Sequence, residues 1–93
     1  MSIRITHIRL SDGVRDHEHI TDVQWTSLED NDHGVSPRAA VVKWIDTEGG
    51  HAYVGQGPSS VRVTTVHPAF GAAHLRTWAD GAWTDNLLEL QEF

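Results

Sequence analysis

Ser36-Pro-Arg-Ala-Ala-Val-Val-Lys-Trp-Ile-Asp-Thr-Glu-Gly-Gly50 is the stretch that decides the fold class. Ser36 is the expected N-cap, because its hydroxyl can accept from the free amides of a first helical turn. Pro37 fits that turn, where a missing N–H leaves no bond unmade. Ala40, Val41, Trp44 and Ile45 follow at the spacing of one helical face. Gly49-Gly50 ends the run, since glycine accepts the left-handed conformation that closes many helices. The spacing predicts a helix of about eleven residues, roughly 16 Å long.

Everything around this helix reads as strand. Ile3-Arg-Ile-Thr-His-Ile-Arg-Leu10 opens with apolar and polar residues alternating. Ile3 and Ile5 share a face, whereas Ile8 and Leu10 fall out of phase with them. Either both faces are partly buried or a bulge shifts the register. Ser11-Asp12-Gly13 is a turn signal. His17 to Trp25 is the expected second strand, on the period-two set Thr21, Val23 and Trp25. Ile20 and Val23, three apart, suit a helix or a bulged strand equally. The polar, acidic run from Ser27 to Ser36 reads as an exposed loop. Past the helix, His51–Gly55, Ser60–His67 and Ala73–Trp78 read as three more strands joined by Gly/Pro turns. Asp80-Gly81 is a tight-turn pair that sets Trp78 opposite Trp83. The expectation is an α+β fold: one small domain over residues 1–93, a mostly antiparallel β-sheet of about five strands and one helix, in the order β-β-α-β-β-β.

Composition narrows the classes of function. The 93 residues contain no cysteine, so disulfide scaffolds and thiolate zinc sites are excluded. No apolar run reaches the roughly 18 residues of a membrane helix. Met-Ser-Ile-Arg lacks the apolar core of a signal peptide, so the expected location is cytoplasmic. Thirteen Asp+Glu against seven Lys+Arg give a net charge of −6. That balance argues against phosphate-backbone binding as the main activity, and neither a nucleic acid nor a membrane is the expected partner. Four tryptophans are the largest candidate core residues. Trp44 is assigned to the core, and Trp78 and Trp83 to a candidate functional surface. Gly55-x-Gly57-x-x-Ser60 lacks the third glycine and the following helix of a dinucleotide loop.

His74-Leu-Arg-Thr-x-x-Asp80-Gly81-x-x-x-Asp85-Asn86-Leu87-Leu88 resembles the C-terminal signature of domain-of-unknown-function family 3892. Ile3-x-Ile-Thr-His-Ile and His17-x-His19-Ile20 also look like its members. His74 stands where the family commonly has Tyr, and Gln91 where it commonly has Pro. The resemblance implies a small stand-alone domain of bacterial or phage origin and carries over no activity. Read from the residues alone, Leu75 faces the core and Arg76 can form a bidentate pair with Asp85. Asn86 can satisfy backbone groups at the strand end. The segment is either a clasp for the last hairpin or a binding surface.

The histidines offer separate chemistry. In a hairpin turning near Gly13, His7 falls opposite His19, and His17 shares their face. Three imidazoles match the ligand number of an open zinc site, although solvated or Trp-packed histidines give the same pattern. His33, His51, His67 and His74 are scattered, and protonation of several imidazoles near pH 6 would change the net charge.

Three functions follow, in order. The first is a non-catalytic interaction module that binds a protein partner or forms a homodimer. Its binding residues are Arg76, Trp78, Trp83, Asp85 and Asn86, and it needs no cofactor. The second is a metal-binding domain holding zinc on His7, His17 and His19, with hydrolysis as its chemistry. The third is an acidic phage-type inhibitor of a host protein. No residue set reads as a catalytic nucleophile or acid/base pair.

Overall fold

The computed structural model describes Ser2–Phe93. Its strands are β1 (Ser2–Leu10), β2 (Ile20–Ser27), β3 (His33–Pro37), β4 (His51–Val54), β5 (Val61–Val66), β6 (His74–Ala79), β7 (Ala82–Thr84) and β8 (Gln91–Glu92), and α1 spans Arg38–Glu48. The sheet runs β3-β2-β1-β4-β5-β6-β7, with β8 also paired to β1. All neighbours are antiparallel except β1–β4 and β1–β8. This is the expected α+β class, with one helix on a mostly antiparallel sheet and more strands than the sequence announces.

The out-of-phase isoleucines of β1 are resolved by two opposed bulges. Ile5 pairs with Trp25 and His7 with Gln24, which leaves Thr6 as an extra residue on β1. Arg9 pairs with Asp22 and Leu10 with Ile20, which leaves Thr21 extra on β2. Each extra residue is a threonine whose hydroxyl donates to the opposite strand: Thr6 to the Gln24 carbonyl at 3.2 Å, Thr21 to the Arg9 carbonyl at 3.3 Å. The bulges bring Ile3, Ile5, Ile8 and Leu10 of β1, and Ile20 and Val23 of β2, into one core.

That core is aliphatic. Ile, Leu, Val and Ala side chains from β1, β2, α1, β4, β5, β6 and the C-terminal segment make one buried cluster. Trp44, expected inside it, is only half-buried and packs on its margin with Trp25. The helix buries Val41 and Val42 and leaves Ala40 exposed. Its C-terminal half is tied to β5 and the residue after it: Asp46 accepts from Thr65 Oγ1 at 2.7 Å, and its Oδ2 lies 2.8 Å from His67 Nε2.

Three expectations are corrected. Ser36 does not cap α1: it belongs to β3, and its hydroxyl instead accepts from the Trp25 indole N–H at 3.0 Å. The run read as a loop from Ser27 to Ser36 contains β3, which pairs with β2 from His33 to Pro37. The second strand begins at Ile20, because His17–His19 forms a 3-10 turn capped by the Asp16 carboxylate, which accepts from the Glu18 amide. Gly49 (φ 68°) does close the helix in the left-handed conformation. Among the described residues, no helix is long and apolar enough to cross a membrane.

Candidate functional site

The β6–β7 hairpin turns on Asp80 (φ 53°) and Gly81 (φ 79°). Positive φ at both central residues is the turn geometry that matches strand twist, and Asp-Gly is suited to it. Trp78 and Trp83 are therefore direct cross-strand partners. Their rings meet edge to face at 4.9 Å and remain 41% and 43% exposed. Arg62 of β5 lies beside Trp78 in the register and is exposed. The three side chains share the sheet face opposite α1, because Thr65 and Leu75, an odd number of strand positions from Arg62 and Trp78, occupy the helix side.

Arg76 lies two residues from Trp78 on that face. Its guanidinium divides between two acceptors instead of gripping one carboxylate with both arms. Nε donates to the Thr84 carbonyl at 3.2 Å and Nη2 to Asp85 Oδ1 at 3.0 Å. Thr77 also donates to the Thr84 carbonyl, and Thr84 donates to Thr77 Oγ1 at 2.6 Å. Arg76 and Asp85 thus hold the end of β7 against β6. The Asn86 side chain makes no hydrogen bond among the described residues, so its expected bonding role at the strand end is not realised. Leu87, next along the chain, is fully buried and anchors this segment to the core.

Two buried histidines, His17 and His74, lie beside this clasp. The His17–His19 turn packs against β6, and His17 Nε2 comes within 3.8 Å of Asp85 Oδ1. His17 and His74 are each 8% exposed, and His17 Nε2 and His74 Nδ1 have no hydrogen-bond partner. Burial holds the His17 imidazole below its ordinary pKa, and the Arg76 charge pushes the same way. Asp85 and Asp16 oppose them, and His74 adds a smaller downward push. The segment carrying His17 is fixed at both ends. Arg15 donates to the Leu88 and Leu90 carbonyls and pairs with Glu92 at 3.6 Å. Arg38 donates to the Glu18 carbonyl at 2.5 Å.

The geometric basis for the zinc site fails. The bulges set His7 opposite Gln24 instead of His19, and His17 and His19 lie in the turn ahead of β2. His7 Nδ1 lies 3.0 Å from Thr6 Oγ1. Among the described residues, no group of three His, Cys, Asp or Glu side chains is arranged to hold a metal ion. Sequence reading left His74 unplaced, because only the folded chain brings it beside His17. It also passed over Arg62, although alternation in β5 puts Arg62 on the opposite face from the buried Val63.

A concavity lies on the helix side. Ile3, Trp25, Ser36, Ala40, Val41 and Trp44 line an apolar cleft of about 170 Å³ between α1 and the β1–β3 end of the sheet.

Searches of the curated proteins and of the solved structures find no match to this chain. The family model described as "Protein of unknown function (DUF3892)" matches residues 4–91. The hairpin that carries the Trp pair and the Arg76–Asp85 clasp lies within that match, and the chain belongs to the DUF3892 family.

Proposed function

We propose that this protein is a non-catalytic binding module that engages a protein partner through the outer face of the β6–β7 hairpin. The observation that carries this reading is the Trp78–Trp83 pair, two indoles in edge-to-face contact that stay more than two-fifths exposed. Burying two indoles on folding would strengthen a small core, and here they are held outward by the register. Tryptophan and arginine are the residues most enriched where binding energy concentrates, and Arg62 and Arg76 flank the pair. The Arg76–Asp85 and Thr77–Thr84 bonds keep the hairpin rigid, which lowers the ordering cost of association.

The test compares the wild type with the Trp78→Ala/Trp83→Ala double variant, both checked for equal folding by circular dichroism. Each is used as bait in quantitative affinity capture, and each is weighed by light scattering across a range of concentrations. The reading expects a partner, or a second copy, that the wild type holds and the variant loses. Partners retained equally by both baits, or no partner and an unchanged monomeric mass, would sink it.

A further inference from the structure

The strand register extends the Trp pair into a stripe across the sheet. Thr26 of β2 pairs with Arg4 of β1, Arg4 with Tyr53 of β4, Tyr53 with Arg62 of β5, Arg62 with Trp78 and Trp78 with Trp83. Laterally paired residues point to the same face. Their neighbours confirm which face it is, because Ile3, Ile5, Ala52, Val54 and Val63 are buried while Arg4 and Tyr53 are half-buried and Arg62, Trp78 and Trp83 are exposed. At about 4.8 Å per strand, the distance from Arg4 to Trp83 is roughly 19 Å.

The charge on this stripe runs against the rest of the molecule. The chain carries −6, yet the row from Thr26 to Trp83 holds two arginines and no acid. Arg76 and Arg15 are neutralised by Asp85 and Glu92, whereas Arg4 and Arg62 have no hydrogen-bond or ion-pair partner among the described residues. The two unpaired arginines flank Tyr53 in the register, with their Cα atoms about 10 Å apart.

We infer that Arg4, Tyr53, Arg62, Trp78 and Trp83 form the docking surface for an extended acidic segment of another protein. Its carboxylates pair with Arg4 and Arg62, and an apolar side chain packs on the Trp78–Trp83 pair. This rests on the binding-module reading above and adds the partner's chemistry and two further contact residues, Arg4 and Tyr53. A second copy stacked face to face and antiparallel about Tyr53 would set Arg4 over Arg62, like charge on like, which weighs against that homodimer and toward an acidic partner. Two free cations on a protein of net charge −6 are few for the many phosphates a nucleic-acid strand presents.

The experiment uses the acetylated, amidated peptide Glu-Asp-Glu-Leu-Glu-Asp-Glu as the probe. Its controls are the same peptide with Gln and Asn in place of the acids, and a short oligothymidylate. Amide and indole NMR signals are followed, since the four tryptophans report separately on each end of the molecule. The expected result is that the acidic peptide shifts the Trp78 and Trp83 indole signals and leaves those of Trp25 and Trp44 in place. Binding should weaken as salt rises. Arg4→Gln and Arg62→Gln, which remove no intramolecular bond, should each weaken it about fivefold while the spectrum stays that of a folded chain. No shift with the acidic peptide, equal shifts with the amide control, or tighter binding of oligothymidylate would overturn the inference. So would a doubling of mass without peptide that Arg62→Gln abolishes. If the acidic peptide fails while Trp78→Ala/Trp83→Ala still loses a captured partner, the binding module stands and only the partner's charge is wrong.

Discussion

Two tryptophan pairs occupy opposite faces of this sheet, and they differ in what lies behind each ring. Trp25 and Trp44 line the helix side, and each is seated on a glycine. A Cβ at Gly34 would lie 2.9 Å from Trp25 Cζ2, and one at Gly50 would run into the Trp44 ring. The Trp25 N–H is also satisfied by Ser36. Trp78 and Trp83 on the outer face have each other and the hairpin backbone, with no glycine seat. Indole character is therefore not what separates the packed tryptophans from the exposed ones here. The separating feature is whether the neighbouring chain has been cut back to a glycine to make room for the ring.

That contrast breaks first if the inner pair proves dispensable. Trp25→Ala should destabilise the fold by about 3 kcal/mol, because it empties one wall of the cleft and removes contacts with the β1–β2 core. Urea denaturation against Trp78→Ala, expected to cost about 1 kcal/mol or less, measures the gap directly. Equal losses would erase the distinction. Gly50→Ala should cost about 2 kcal/mol, since the added methyl displaces the Trp44 ring from its seat. The same substitution at exposed Gly57, where an added Cβ meets nothing, lacks that overpacking term and is left with the strain of its positive φ.

Acid should act on the region beside the outer pair, where His17 meets the Arg76–Asp85 clasp. The pKa of His17 is lower in the folded chain than its ordinary value near 6.5. Below about pH 6.5 the unfolded chain therefore binds the proton first. The stability associated with neutral His17 is full above that value and is lost as the pH falls through the lowered folded pKa. Melting temperatures should drop between pH 7.5 and 5, and His17→Gln should flatten the slope. An identical slope in the variant would remove His17 as its cause. Ser36→Ala should cost about 1 kcal/mol by stripping the Trp25 indole of its acceptor. The smallest effect is the coupling within the outer pair, about 0.5–1 kcal/mol in a double-mutant cycle of Trp78 and Trp83.

Local signals located much of the architecture. Gly49-Gly50 ended the helix, Asp80-Gly81 placed Trp78 against Trp83, and the phase break after Ile5 left a bulge as one of two readings. These features were legible because each depends on a few consecutive residues. The strand β3 was not legible. His33-Gly-Val-Ser-Pro37 has a single large apolar residue, and it becomes a strand only because β2 offers it an edge. The zinc reading failed for a related reason. It needed an unbroken register over two strands, and two bulges together with a 3-10 turn separate His7 from His19.

The candidate site divides in the same way. The Arg76–Asp85 pair spans one short hairpin and was readable from spacing, although the second arm of Arg76 goes to a backbone carbonyl that no spacing rule names. The His17–His74 neighbourhood joins a turn near the start of the chain to a strand near its end. The stripe needs β1 to pair with β2 on one side and β4 on the other, with α1 as the crossover to β4.

The sequence by itself determined the α+β class, the helix and its glycine stop, the outward Trp hairpin and the acidic balance, because propensity, turn chemistry and charge act over a few residues or over the whole composition. The tertiary structure alone decided that the core is aliphatic, that two tryptophans sit on glycines, that His17 lies buried beside Asp85, and that Arg4, Tyr53 and Arg62 align with the exposed Trp pair. Each of these is a contact between residues far apart in the chain. Strand order and bulge register select such contacts, and both are settled only when all the strands compete for partners at once.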